Sequence, residues 1–104
     1  MSFRLPQSLT SANPSDAAVS AFDAEVAAEK AASLGRAGRK LERALAALES
    51  CSQPSQKSDL LREAADAAHF YLIQRELCGL RDPERAIADF GIPSEVIARM
   101  GIRD

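Results

Sequence analysis

The 104-residue chain has no tryptophan and only one threonine, one tyrosine and one histidine. Val, Ile, Thr, Phe and Tyr together make 14 residues, too few to furnish an all-β domain. Two cysteines, Cys51 and Cys78, make no disulfide framework. No apolar run approaches the roughly 20 residues of a membrane span. The stretch from Met1 to Asp16 carries a single arginine and no apolar core of the kind a signal peptide needs. Neither sign of charge dominates: 13 basic and 15 acidic side chains leave a net charge of −2. That balance argues against a general polyanion binder, which normally shows a clear basic excess. No GxGxxG, P-loop, GxSxG or CxxC pattern is present, so neither a cofactor nor an enzymatic activity is expected. The expectation is a reduced, cytoplasmic protein with no membrane segment.

Alanine is abundant. It supplies 20 of the 48 hydrophobic residues, and only 26 side chains are large enough to fill a core well. Alanine, leucine and charged residues are good helix formers. One all-α domain over residues 1–104 is therefore predicted, with a core on the thin side for a lone monomer.

Residues 1–15 read as an arm, in which Phe3, Leu5 and Leu9 form a weak alternating strip and Pro6, Asn13 and Pro14 discourage helix. A long helix is expected over 16–50, with Ser15 as N-cap. It carries a 3-4 repeat of small or apolar residues: Ala24, Ala27, Ala31 and Leu34, then Gly38, Leu41, Leu45 and Leu48. Such a seam belongs to coiled coils and helical bundles, and it is the first predicted interface. Acidic residues (Asp16, Asp23, Glu25, Glu29) come early and basic ones (Arg36, Arg39, Lys40, Arg43) late, as the helix dipole favours. Gly35 and Gly38 each cost about 1 kcal/mol relative to alanine in a helix interior. They imply either a break or a close crossing, and the place of Gly38 on the seam favours the crossing.

The cluster Ser50-Cys51-Ser52-Gln53-Pro54-Ser55 is a turn short enough to make the next helix an antiparallel neighbour. That helix is expected over 56–80. One broad face holds Leu60, Leu61, Ala64, Ala65, Ala67, Ala68, Tyr71 and Leu72, and another holds Phe70, Ile73, Leu77 and Leu80. A helix apolar on two sides has two partners. Asp82-Pro83-Glu84 then reads as N-cap, first-turn proline and early acid, opening a short helix over 83–90 that stops at Gly91. A last short helix is expected over 93–100. Ile87, Phe90, Ile92, Val96, Ile97 and Met100 form a compact apolar payload, predicted to dock on the Phe70/Ile73/Leu77/Leu80 stripe, in its own chain or a partner's.

Three constellations invite chemistry. The tail around Gly91, Ile92 and Ile97 has helix-turn-helix spacing, yet Ile87 stands where close packing prefers Ala or Gly. Its second helix offers only Ser94, Glu95 and Arg99 to read bases or meet phosphates. Arg36, Lys40 and Arg43 share one helical face beside Arg39; this is a phosphate stripe or, more commonly, a solvated face diluted by Glu42. Asp66-x-x-His69 has the spacing of carboxylate-bridged metal bundles, but one such pair cannot close a metal site. Cys78 and His69, nine residues apart, fall on opposite sides of a helix, which rules out an intrachain thiol dyad.

The phrase Gly91-Ile92-Pro93-Ser94-Glu95-Val96-Ile97, the preceding Leu80-Arg81-Asp82-Pro83-Glu84-Arg85 and the Gly35-Arg36-Ala37-Gly38-Arg39 stretch resemble small uncharacterised bacterial helical proteins. That resemblance implies a helical fold and no assigned activity. The fold expected is a long antiparallel helical hairpin with two short C-terminal helices, completing a bundle in a dimer or tetramer. The function expected is self-association or binding of a protein partner. Nucleic-acid binding through the tail and the Arg36/Lys40/Arg43 face is the first alternative, and a metal site at Asp66 and His69 the second.

Overall fold

The computed structural model describes residues 14–101. Residues 1–13 of the expected arm lie outside the described residues, while Pro14 and Ser15 already belong to the first helix. Four helices follow in order: α1 (Pro14–Glu49), α2 (Pro54–Leu77), α3 (Pro83–Phe90) and α4 (Ser94–Gly101). Among the described residues there is no strand. The all-α reading therefore holds.

Three of the four helices open on proline. At that position the missing N–H is one the helix leaves unpaired anyway, and the ring presets φ. This explains why α1 and α2 begin two residues earlier than expected, with Ser15 inside α1 rather than capping it. α1 runs unbroken through Gly35 and Gly38. A Cβ on Gly38 would lie 3.4 Å from Tyr71 Cε1 and 3.5 Å from Phe90 Cζ. Those two rings meet edge to face, 4.8 Å apart at 68°. Gly38 is a crossing point, and what crosses it is an aromatic pair.

α2 stops at Leu77 rather than at Leu80. Gly79 turns left-handed (φ 85), its N–H donates to Glu76 O at 2.9 Å, and the Leu80 N–H reaches back to Arg75 O at 2.9 Å. These bonds satisfy carbonyls that would otherwise be left unpaired at the helix end. Arg75 Nη2 donates to Asp82 O at 3.2 Å, tying this end to the next helix. At the start of α3 the Asp82 carboxylate accepts from the Arg85 N–H, with Pro83 in the first turn, as the sequence implied.

α3 ends on Gly91, at φ 64 and ψ 43, and the Ile92 N–H donates to Ile87 O at 3.0 Å. A Cβ on Gly91 would meet nothing within 4 Å, so substitution there costs backbone strain alone. Gly91→Ala should lose about 1–2 kcal/mol in a denaturant melt. Gly91→Asn, whose side chain tolerates this conformation, should lose clearly less. Equal losses would show that the left-handed turn is not the cause.

The core lies where α1, α2 and α4 meet. Its buried members are Leu41 of α1, Ala64, Ala65, Ala67 and Ala68 of α2, Ile92, and Val96 of α4. Among the described residues, only Leu41 and Val96 are large side chains that are fully buried. Alanines along α2 let both neighbours approach closely, so a core with little bulk is closed by proximity. At ~1.5 Å per residue, α1 is about 54 Å long and α2 about 36 Å. α2 folds back only as far as the Cys78 Sγ to Lys30 O contact (3.7 Å) and the Ser33 to Gln74 hydrogen bond (3.0 Å). The first four turns of α1 therefore project past the hairpin, and the described chain measures 67 × 25 × 20 Å.

Candidate association surfaces

The predicted α1 seam divides at this overhang. Ala24, Ala27 and Ala31 are exposed, Leu34, Leu45 and Leu48 are half-buried, and Gly38 and Leu41 are buried inside the chain. The leucine half is thus consumed by the hairpin, and the alanine half faces solvent. Close alanine packing does occur, but at Ala64, Ala65, Ala67 and Ala68 of α2 and at Ala37 of α1, which lies off the seam.

On the overhang, Val19 and Phe22 are 58% and 63% exposed. Val19 continues the edge of the face that, further along α1, packs on α2, whereas Phe22 lies on the exposed arc that holds Lys40. The expected stripe on α2 is also open, with Phe70 at 48%, Ile73 at 40%, Leu77 at 58% and Leu80 at 44%. The C-terminal payload does not dock there within its own chain, which corrects one of the two arrangements expected. Ile87, Phe90, Ile97 and Met100 pack instead against the buried cluster of Leu41, Ala64, Ala65, Ala67, Ala68, Ile92 and Val96, with Phe90 edge to face on Tyr71. The hollow beside Leu41 gives the payload two close walls, whereas the Phe70/Ile73/Leu77/Leu80 stripe borders open grooves. More apolar area leaves water in the hollow.

Two open grooves border the exposed apolar residues. One, between α1 and α2, is lined on α1 by Lys40, Arg43, Ala44 and Ala47 and on α2 by Glu63, Asp66, Ala67 and Phe70. The other lies at the root of the overhang, where Val26, Ala27 and Ala31 face Leu77, Cys78 and Leu80.

The chemical candidates are placed less favourably. α4 is held against α2 by buried Val96, by a Lys57–Glu95 ion pair at 3.5 Å and by Arg99 Nη1 at 3.5 Å from Ser58 O. Its outward residues are Ser94, Glu95 and Ala98, which present an acid and no base to a phosphate. Arg36, Arg39, Lys40 and Arg43 are all exposed, and Arg36 pairs with Glu29 at 3.3 Å. Asp66 and His69 are exposed on α2. Among the described residues no cluster of three or more His, Cys, Asp or Glu has the arrangement of a metal site. Both cysteines are free thiols, Cys51 in the α1–α2 turn and Cys78 at the end of α2. No described helix is long and apolar enough to cross a membrane.

An overhanging helical hairpin clasped by a helix pair, with open apolar strips at one end, is the class of protein these features define. The chain belongs to a family of unknown function, DUF6665, whose model matches residues 1–103. That membership agrees with the resemblance read in the C-terminal third and extends it across almost the whole sequence. No curated protein and no solved structure matches the chain.

Proposed function

We infer that this protein is a non-enzymatic helical module that works by associating with copies of itself, as a dimer or tetramer, or with a protein partner. The observation that carries this reading is the exposed apolar surface on the overhang and the back of α2. Phe22 is 63% and Leu77 58% exposed, while the core holds, among the described residues, only two large, fully buried side chains. Apolar side chains grouped in this way mark an interaction surface more often than a solvent-facing one. Two free thiols suit a reducing compartment such as the cytoplasm. Light scattering on the purified protein at micromolar concentration should return the mass of a dimer or tetramer. A monomer mass that persists on concentration would overturn self-association.

A further inference from the structure

We propose that the overhang of α1 docks into the α1–α2 groove of a second copy of this chain, the two α1 helices running antiparallel about a two-fold axis near Ser33. This placement rests on the self-association reading and specifies its geometry. At about 100° per residue, one narrow arc of α1 contains Phe22, Glu25, Val26 and Glu29. The same arc further along contains Arg36, Lys40 and Arg43, followed by Ala44 and Ala47. The 3.3 Å contact between Glu29 and Arg36 confirms that acid and base share that side of the helix. The face is thus acidic in its first half and basic in its second. Such a face complements itself only when the copies run in opposite directions, which is the condition for an isologous dimer.

A register centred on Ser33 brings the partners together consistently. Glu25 falls between the partner's Lys40 and the partner's Arg43, and Glu29 falls opposite the partner's Arg36. Phe22 then comes over the partner's Ala44 and the partner's Ala47. These small residues border an open groove of about 630 Å³ that also includes Phe70. Phe22 and Phe70, both exposed in the single chain at 63% and 48%, would cover one another. Val19 and Val26, which lie towards the α2 side of the overhang, would meet the partner's α2. Pairing overhang with overhang would bring Asp16, Asp23, Glu25 and Glu29 of both copies together, whereas the groove sets Lys40 and Arg43 beside Glu63 and Asp66. The unequal lengths of α1 and α2 thereby acquire a role: each overhang supplies the helix that the other copy's groove lacks.

Charge reversal tests the geometry. One variant combines Glu25→Lys with Glu29→Lys, the other Lys40→Glu with Arg43→Glu. All four positions are exposed, and circular dichroism should show the helical content of the parent protein. Each variant alone should dimerise at least about tenfold more weakly, and the two mixed in equal amounts should form a heterodimer. If the parent protein is an oligomer that both variants retain unchanged, this docking is overturned while self-association stands. If the parent protein is a monomer, both fall together.

Discussion

Leu41→Ala should destabilise the protein by about 2–5 kcal/mol and move its urea midpoint more than any other leucine-to-alanine change in the hairpin. Leu41 is completely buried, and the residues around it include Ala64, Ala65, Ala67 and Ala68 of α2. The cost of such a truncation depends on how far the surroundings collapse into the hole. Alanine has no side-chain torsion with which to fill space, so the cavity should persist and the loss should fall in the upper part of that range. Against a typical total stability of roughly 5–15 kcal/mol, this is a third or more of what holds the domain together. Leu34→Ala, on the half-buried stretch of the same helix, is the comparison. A midpoint shift no larger than that of Leu34→Ala would show that the alanine-lined pocket repacks.

Val96→Asp should have an effect of similar size and a different character. Val96 is fully buried in a cluster whose members are all apolar, so a carboxylate there would be charged, desolvated and without a partner. Leaving a charge buried in that state costs about 3–5 kcal/mol. The chain has a cheaper response than global unfolding, because α4 is a short terminal helix whose attachment rests largely on Val96 and its neighbours. The exposed Lys57–Glu95 pair adds little, as solvent-exposed ion pairs rarely exceed about 1 kcal/mol. Hydrogen exchange should therefore rise first across α3 and α4, while amides in the paired parts of α1 and α2 stay protected. Uniform loss of protection in all four helices would mean that the tail is integral to the hairpin's stability.

Both predictions depend on a division that runs through the molecule. Helix starts and stops were legible in the chain because they are decided by neighbouring atoms. Asp82-Pro83 opens a helix by supplying an acceptor and a preset φ, and Gly91 closes it by entering the left-handed region. Pro14 and Pro54 belonged to the same logic, but read as turn residues they hid the first turns of α1 and α2. Gly79 was the signal missed at the end of α2: its φ of 85 stops the helix before Leu80 can join the stripe on that helix.

The surfaces were less legible. The 3-4 repeat on α1 reads as one seam, yet its alanine half is exposed and its leucine half is half-buried or buried. Periodicity records which residues share a face; it carries no information on how far a partner helix reaches. That reach is set by α2 having 24 residues against the 36 of α1, so the alanine half of the seam has nothing beside it within the chain. The tail's destination was hidden for a related reason. Two apolar faces of α2 were visible in the sequence, and hydrophobic attraction does not distinguish between them by composition. Shape does, and the hollow beside Leu41 exists only once α1 and α2 have paired.

The amino-acid sequence by itself determined the all-α class, the four helices, the turn at Ser50–Pro54 and the glycine stop at Gly91, because each follows from local backbone geometry and hydrogen bonding. Tertiary structure alone decided that α2's alanines line the core, that the tail clasps the hairpin beside Leu41, and that Val19, Phe22, Phe70 and Leu77 find no cover within the single chain. Those outcomes depend on which surfaces reach one another in space, and burial rewards the arrangement that removes the most apolar area from solvent.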